Sequence, residues 1–233
     1  MSRHSRFIID DPVGLSTLAA EFLRENGGRI EYDMGPSRQQ LETDLAGLAG
    51  LGVFLDFLEA IQERYGGLTY QSGYFREKIV FEPSCQPDLD PGEALEISYA
   101  VVTGTTTGAS VDSSGTVIVG MSDEVAEFRS LDQLVEFDGH YWFSRRLGIF
   151  EQIYVGGAAA SEQDLSSRLA RVFPDIRLID AASGNCSYTY LAPSLVVQVT
   201  TVWTKVGGIM PPIAYIGAGS RDDLDAAKVA LRE

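Results

Sequence analysis

Few residues in this chain combine the type and the spacing that chemistry at a site requires. Two histidines and two cysteines occur among its 233 residues. His140 is the candidate general base, because His4 lies at the start of the sequence. Cys85 and Cys186 are far apart and lack the spacing typical of a metal site or a disulfide framework. We therefore expect a protein that is not an enzyme and holds no cofactor or metal ion. A small-ligand or hydrolytic site near His140 is the alternative.

Two short motifs resemble ligand-binding loops but lack essential parts of them. The run from Asp88 to Glu93 places three carboxylates within one turn, yet it lacks the length and ligand alternation of a calcium-binding loop. The run from Gly104 to Gly108 is similar to a phosphate-binding loop, but no lysine follows it. The first motif therefore predicts an acidic surface turn, and the second predicts a turn between strands.

Acidic residues are concentrated in the middle of the chain. The net charge is −15, and 14 acidic residues but three basic ones lie between Ser84 and Asp164. Such a field repels nucleic acid and attracts basic protein surfaces. We therefore expect a protein partner with a basic surface and no nucleic-acid ligand. Solubility alone is the competing explanation.

The densest acidic cluster, with two aromatic residues beside it, is the candidate partner-binding surface. Asp132 and Glu136 stand four residues apart on a predicted short helix, so both are expected on one exposed face. The aromatic pair is predicted to lie in the next strand, where one ring faces outward. The candidate residues are Asp123, Glu124, Glu127, Asp132, Glu136, Asp138, Tyr141 and Trp142.

Capping residues and apolar periodicity indicate the helices that frame these residues. Ser16 is expected to begin a helix that ends at Gly27, and Ser37 begins a second one. A third helix is predicted from Phe54, with Gly66 as its left-handed C-terminal residue. Further caps are predicted at serines 130, 161 and 220, and the helix after serine 130 is expected to end at the Asp-Gly pair 138–139.

The rest of the chain has the shorter period of strands. Strands are predicted at 78–81, 95–102, 109–112, 116–120, 140–143, 149–155, 176–180, 186–191, 195–205 and 213–216. This order predicts an α+β fold with N-terminal helices packed on a mainly antiparallel sheet. Residues 1–156 are expected to form the core domain and residues 157–233 a smaller α+β appendage packed on it. Neither a signal sequence nor a membrane span is visible, so we expect a cytoplasmic protein without membrane contact.

Three segments, in this order, resemble the SUKH superfamily. The first is the helix that ends in Tyr65-Gly66-Gly67 and leads into the strand Leu68-Thr69-Tyr70. The second is the turn and strand from Asp112 to Val119, and the third is the helix that Ser130 begins. The resemblance covers roughly residues 37–143. It departs from the family where Leu51-Gly52-Val53 replaces a frequent proline.

This resemblance implies an α+β immunity protein, bacterial and cytoplasmic, that neutralises a polymorphic toxin by binding it. Such toxins are commonly nucleases or deaminases with basic substrate sites. It implies no catalytic residues, and it makes Tyr65, Gly66, Gly67 and Ser130 residues of the fold rather than of the interface. We expect a monomer or a weak oligomer. A regulatory scaffold module is a further alternative that such folds allow.

Overall fold

The computed structural model describes residues 7–85, 96–98, 109–120, 123–155, 161–206 and 210–232, with backbone alone at 96–98. The motifs at 88–93 and 104–108 lie outside these ranges, as do most of the predicted strand 95–102 and the connector at 156–160. Within the described residues the fold is α+β, as the sequence predicts. The helices are α1 (Thr17–Asn26), α2 (Arg38–Asp44), α3 (Leu51–Tyr65), α4 (Leu131–Ser144), α5 (Glu162–Val172), α6 (Val202–Lys205) and α7 (Arg221–Arg232).

The described strands form three antiparallel sheets. The first sheet contains β1 (Gly28–Arg29), β2 (Leu68–Gln71) and β3 (Lys78–Val80). The second contains β4 (Glu96–Ser98), β5 (Ala109–Asp112), β6 (Val117–Val119) and β7 (Val125–Phe128). The third contains β8 (Ile149–Tyr154), β12 (Ile213–Ala218), β11 (Leu195–Thr200), β10 (Ser187–Ala192) and β9 (Arg177–Leu178).

The serine caps form as the sequence predicts. The hydroxyls of Ser16, Ser37, Ser130 and Ser161 each accept a hydrogen bond from the backbone N–H three residues later. Each bond satisfies one of the N–H groups that a helix start leaves without an intrahelical partner. The starts of α1, α2, α4 and α5 are therefore local properties of the sequence.

The end of α3 differs from the prediction by one residue. Gly66 has φ −57°, whereas Gly67 has φ +77° and is the left-handed residue. A Cβ at Gly67 would lie 2.0 Å from the carbonyl oxygen of Ile30. Gly67 also donates its N–H to Phe81 O at 2.9 Å, so it turns the chain directly into the first sheet. Glycine is required there both by the backbone angle and by the space.

The predicted end of the helix at 138–139 and the predicted strand at 140–143 are wrong. Helix α4 continues through both to Ser144. Gly139 stands where α1 crosses α4, and a Cβ there would come within 3.0 Å of Ala19 Cα. The Asp-Gly pair therefore permits close helix packing and does not end the helix.

Helix α4 lies between α1 and the third sheet, and it has ten buried residues. Gln198 of β11 donates its side-chain N–H to Phe137 O at 2.8 Å, and Gly217 of β12 lies against the backbone of Ser144. The larger apolar core gathers residues from most of the chain before α5, and it also includes Cys186 and Val202. The C-terminal part thus contributes directly to that core.

The third sheet has its own smaller core against α5 and α7. Strand β8 precedes the predicted boundary at 156/157 and pairs with β12 over six residues. The predicted strand at 195–205 ends at Thr200 and is followed by the helical turn α6, because Val206 N–H bonds back to Val202 O. No helix in the described part of the chain has the length and apolarity needed to cross a membrane.

Candidate functional site

The predicted acidic surface does not exist as one surface. Asp123 and Glu124 are exposed, but Glu127, Glu136 and Asp138 are 0%, 3% and 1% exposed. The expectation that Glu136 projects from an exposed face is therefore wrong. The reason is that α4 is covered on both sides, by α1 and by the third sheet. Charges at these depths need hydrogen-bond partners.

Glu136 holds the start of α1. Its carboxylate accepts hydrogen bonds from the backbone N–H of Ser16 and, at 2.7 Å, from the Ser16 hydroxyl. The same hydroxyl accepts from Ala19 N–H at 3.2 Å, so one serine both caps α1 and ties it to α4. The negative charge also lies at the positive end of the α1 dipole.

Asp138 holds the loop between β2 and β3. Its carboxylate accepts from the Ser72 hydroxyl at 2.8 Å and from the backbone N–H groups of Gly73 and Tyr74 at 2.8 and 2.9 Å. Complete burial raises the pKa of Asp138 to about 7, against the opposing effect of these hydrogen bonds. The donors are positioned to hold a carboxylate, so the role of Asp138 is to fix this loop.

Asp132 is half-buried and connects α4 to the end of α3. It accepts from the Tyr65 hydroxyl at 2.7 Å and from the Arg64 guanidinium at 3.2 Å. Tyr65 is 6% exposed, and burial followed by the charge of Asp132 raises the pKa of its hydroxyl. The resemblance makes Tyr65 and Ser130 residues of the fold, and here they lie at the contact between the two helices.

The two predicted aromatic contacts are half-buried packing residues of α4. Tyr141 packs edge-on against Phe150 and Tyr215, with ring centroids 5.6 and 5.1 Å away. Gly73 lies directly against the Tyr141 ring, since a Cβ there would be 2.1 Å from ring atoms. Trp142 packs against Phe22. The predicted arrangement, with one ring on each face of a strand, does not occur because the segment is helical.

His140 is 4% exposed, and its Nδ1 lies 2.9 Å from the backbone carbonyl of Glu136. Burial is the main cause that lowers the pKa of its imidazole. This arrangement is typical of a packed helix residue. It lines neither of the grooves described below.

An exposed acidic feature that the sequence prediction does not name lies on α3. Asp56, Glu59 and Glu63 are exposed and stand at positions i, i+3 and i+7, which places them on one side of the helix. We call these three residues the α3 ridge. Arg38 of α2 bridges to it, with its guanidinium 2.8 Å from both Asp56 and Glu59 and 3.0 Å from Glu42.

A groove lies on each side of the α3 ridge. The first, of about 340 Å³, separates α3 from α2, and its apolar floor is formed by Leu41, Leu55 and Leu58. The second, of about 270 Å³, separates α3 from the start of α4, and its apolar lining includes Phe57 and Ile61. Each groove thus combines apolar lining with a charged rim, which is Arg38 and Glu59 at the first groove and Arg64 and Asp132 at the second.

Exposed apolar side chains extend this face. Val53 of α3 is 76% exposed, Met34 beside the first groove is 53% exposed and Leu48 before α3 is 42% exposed. Sequence reasoning missed this face, because a charge count over the middle of the chain excludes α3. The i, i+3, i+7 spacing of its acidic residues was the available signal.

No group of three or more histidine, cysteine, aspartate or glutamate side chains gathers as a metal site within the residues described. Comparison of the chain with protein-family models, with curated proteins and with solved structures found no match.

Proposed function

We propose that this protein is a cytoplasmic immunity-type protein that binds and neutralises a protein toxin with a basic surface. The observation that carries the proposal is the α3 ridge with a partly apolar groove on each side. The α3 ridge stays net negative even with Arg38 paired to Asp56 and Glu59, and a negative ridge between two grooves suits a basic surface that also presents apolar side chains. Occlusion of a basic substrate site would neutralise a nuclease or a deaminase without chemistry.

Charge supports a protein partner over a nucleic acid. The chain carries 33 acidic and 18 basic residues, and a field of that sign repels phosphate backbones. The grooves would supply the desolvated contacts that dominate binding energy, while the ridge would speed the encounter. This division of roles assigns affinity to Met34 and Phe57 and association rate to Asp56 and Glu63.

The SUKH resemblance supports the same proposal independently of charge. Helix α3 is the helix of the family-like segment that ends in Tyr65-Gly66-Gly67, and its outer side carries the α3 ridge. Membership of the superfamily is part of this proposal. In it, the buried side of α3 builds the fold, and the exposed side gives the interface.

The test begins with capture of toxin domains encoded beside the gene and continues with binding kinetics. The triple variant Asp56→Asn, Glu59→Gln and Glu63→Gln neutralises the α3 ridge and changes little volume. A matched control neutralises three exposed carboxylates elsewhere, at Glu21, Glu162 and Asp175.

We expect the ridge variant to reduce the association rate about tenfold and the control to change it less than about twofold. Equal effects of the two variants would contradict a localised interface. A third variant, Asp123→Asn with Glu124→Gln, tests the exposed remainder of the acidic surface that the sequence predicts. A larger effect from that pair would place the interface there and not on α3.

A further inference from the structure

Three polar side chains that the proposed interface does not use meet where β7, the start of β10 and α6 come together. The Lys205 ammonium lies 2.9 Å from the Cys186 sulfur, within hydrogen-bond distance. Glu127 of β7 faces the same thiol, because Asn185 donates its backbone N–H to Glu127 O at 2.8 Å and brings the two strands together. These residues, Cys186, Lys205 and Glu127, are called the thiol cluster.

The thiol cluster contains a buried carboxyl that lacks a well-formed hydrogen bond. Glu127 is 0% exposed, and neither carboxylate oxygen receives a hydrogen bond of ordinary geometry from the described residues. Burial raises its pKa to about 7, although the neighbouring Ser187 and Cys186 act in the opposite direction. An orphaned buried carboxyl is costly, so its position beside a thiol and an amine points to a use.

The thiol is buried, but the lysine side chain that contacts it is exposed. Cys186 is 1% exposed, whereas Lys205, which contacts its sulfur, is exposed. Burial raises the pKa of the Cys186 thiol, and the Lys205 ammonium opposes this by favouring the thiolate. A peroxide would reach the sulfur by displacing the flexible Lys205 side chain.

We propose that the thiol cluster is a redox modification site at which a peroxide joins Cys186 Sγ to Lys205 Nζ in a sulfenamide bond. In the first step the thiolate attacks the peroxide, the O–O bond breaks and an S–O bond forms. The sulfur is oxidised by two electrons to sulfenic acid, and the peroxide is reduced to water or an alcohol.

In the second step the exposed Lys205 amine, after its proton passes to solvent, attacks the sulfur of the sulfenic acid. An S–N bond forms and the S–O bond breaks. Protonated Glu127 gives its proton to the departing hydroxide, which leaves as water, and the resulting carboxylate takes the remaining proton from the nitrogen. The cross-linked protein is lighter by two hydrogens, a loss of about 2 Da. The short distance between sulfur and nitrogen makes this intramolecular step fast compared with further oxidation.

The bond would fasten α6 to the base of the hairpin formed by β10 and β11. Thr201 already donates its backbone N–H to Cys186 O at 2.7 Å there, so the link requires little backbone movement. Closing the 19-residue separation between Cys186 and Lys205 restricts the unfolded chain and should raise the Tm by several degrees. This inference does not depend on the proposed toxin binding.

The experiment treats the full-length protein with hydrogen peroxide and maps the products by peptide mass spectrometry. We expect a peptide pair joined through Cys186 and Lys205, lighter by about 2 Da and separated again by a thiol reductant. Cys85, which is also 1% exposed, is the internal comparison and should not become cross-linked. The variants Lys205→Arg and Cys186→Ser should abolish the link, and Glu127→Gln should slow it about tenfold.

Oxidation of Cys186 to sulfinic acid without a link, or a thiol that stays unmodified, would overturn the proposal. A linked product heavier by about 14 Da would retain an oxygen atom and would overturn the sulfenamide chemistry. If Glu127→Gln forms the link at the wild-type rate, the carboxyl group takes no part in the reaction. Each variant is first checked for folding by circular dichroism, and Lys205→Arg keeps the charge at an exposed position.

Discussion

Glu136 binds Ser16 through both of its carboxylate oxygens, although 120 residues separate the two in the chain. This relationship shows how α4 uses its acidic residues. Each of Asp132, Glu136 and Asp138 holds a different distant segment, respectively the end of α3, the start of α1 and the loop after β2. Glu136 and Asp138 are buried connectors inside the fold, whereas Asp132 also lines the second groove.

Removal of one such connector should destabilise the protein. We expect Glu136→Ala to reduce the free energy of unfolding by about 3 kcal/mol, because two hydrogen bonds to a buried charge are lost. Glu124→Ala, at an exposed site, should change it by less than about 0.5 kcal/mol. Urea denaturation measures both. Equal losses in the free energy of unfolding for Glu136→Ala and Glu124→Ala would contradict the role assigned to Glu136. A loss in the double variant of Glu136→Ala with Ser16→Ala that differs from the sum of the two single losses would support it.

The packing of Gly73 against Tyr141 gives a second prediction. Gly73→Ala places a Cβ about where Tyr141 ring atoms now stand, and we expect a loss of about 3 kcal/mol in the free energy of unfolding. The matched control is Gly52→Ala in α3, where a Cβ would meet nothing within 4 Å. That change should stabilise by up to about 1 kcal/mol, since alanine favours helix over glycine. Thermal unfolding distinguishes the two.

The pKa of Glu127 predicts a pH dependence with a definite sign. Its pKa is about 7 in the folded protein, whereas the ordinary value is 4.5. The folded state therefore binds the proton of the Glu127 carboxyl more tightly than the unfolded state does. The contribution of Glu127 to stability is therefore present below about pH 4.5 and is lost as pH rises to about 7. Over that interval wild type should lose up to about 3 kcal/mol relative to Glu127→Gln.

The measurement compares denaturation midpoints of the two proteins at several values of pH between 4 and 8. The difference between them isolates Glu127 from the other titrating groups. A difference that stays constant with pH, or one that grows in favour of wild type as pH rises, would contradict the burial effect on this carboxylate.

Ionic strength should control toxin capture if the α3 ridge steers association. Raising the salt concentration from about 0.05 to about 0.5 M shortens the screening length severalfold and should reduce the association rate about tenfold. The dissociation rate should change little, because the grooves are mainly apolar. Stopped-flow or surface-based kinetics measure both rates. The association rate of a variant with the neutralised ridge should depend less on salt concentration. If its salt dependence equals that of wild type, the charges that steer association lie elsewhere.

Local features of the fold could be predicted from the sequence, whereas long-range ones could not. The caps at Ser16, Ser37 and Ser130 depend on the residues three positions later, so they were predicted correctly. The continuation of α4 through Gly139 depends on the approach of Ala19, far away in the chain. The Asp138-Gly139 pair can end a helix or allow a neighbouring helix to pack closely against it. The sequence does not distinguish these outcomes.

The candidate site follows the same distinction. Asp132, Glu136 and Asp138 have the pattern of a solvated acidic face, and only the positions of their partners show that Glu136 and Asp138 are buried. Conversely, the α3 ridge was accessible to prediction, because Asp56, Glu59 and Glu63 have helical spacing. A net charge summed over a long window conceals a short stripe of this kind.

The contact of α4 with β11 and β12 has a consequence for synthesis of the protein on the ribosome. Gln198 and Gly217 meet the backbone of α4 directly, yet they are made well after it. We expect a nascent chain that ends before β10 to leave this side of α4 uncovered and therefore available to chaperones or proteases. Protection of α4 from proteolysis should arise only once β12 has left the exit tunnel.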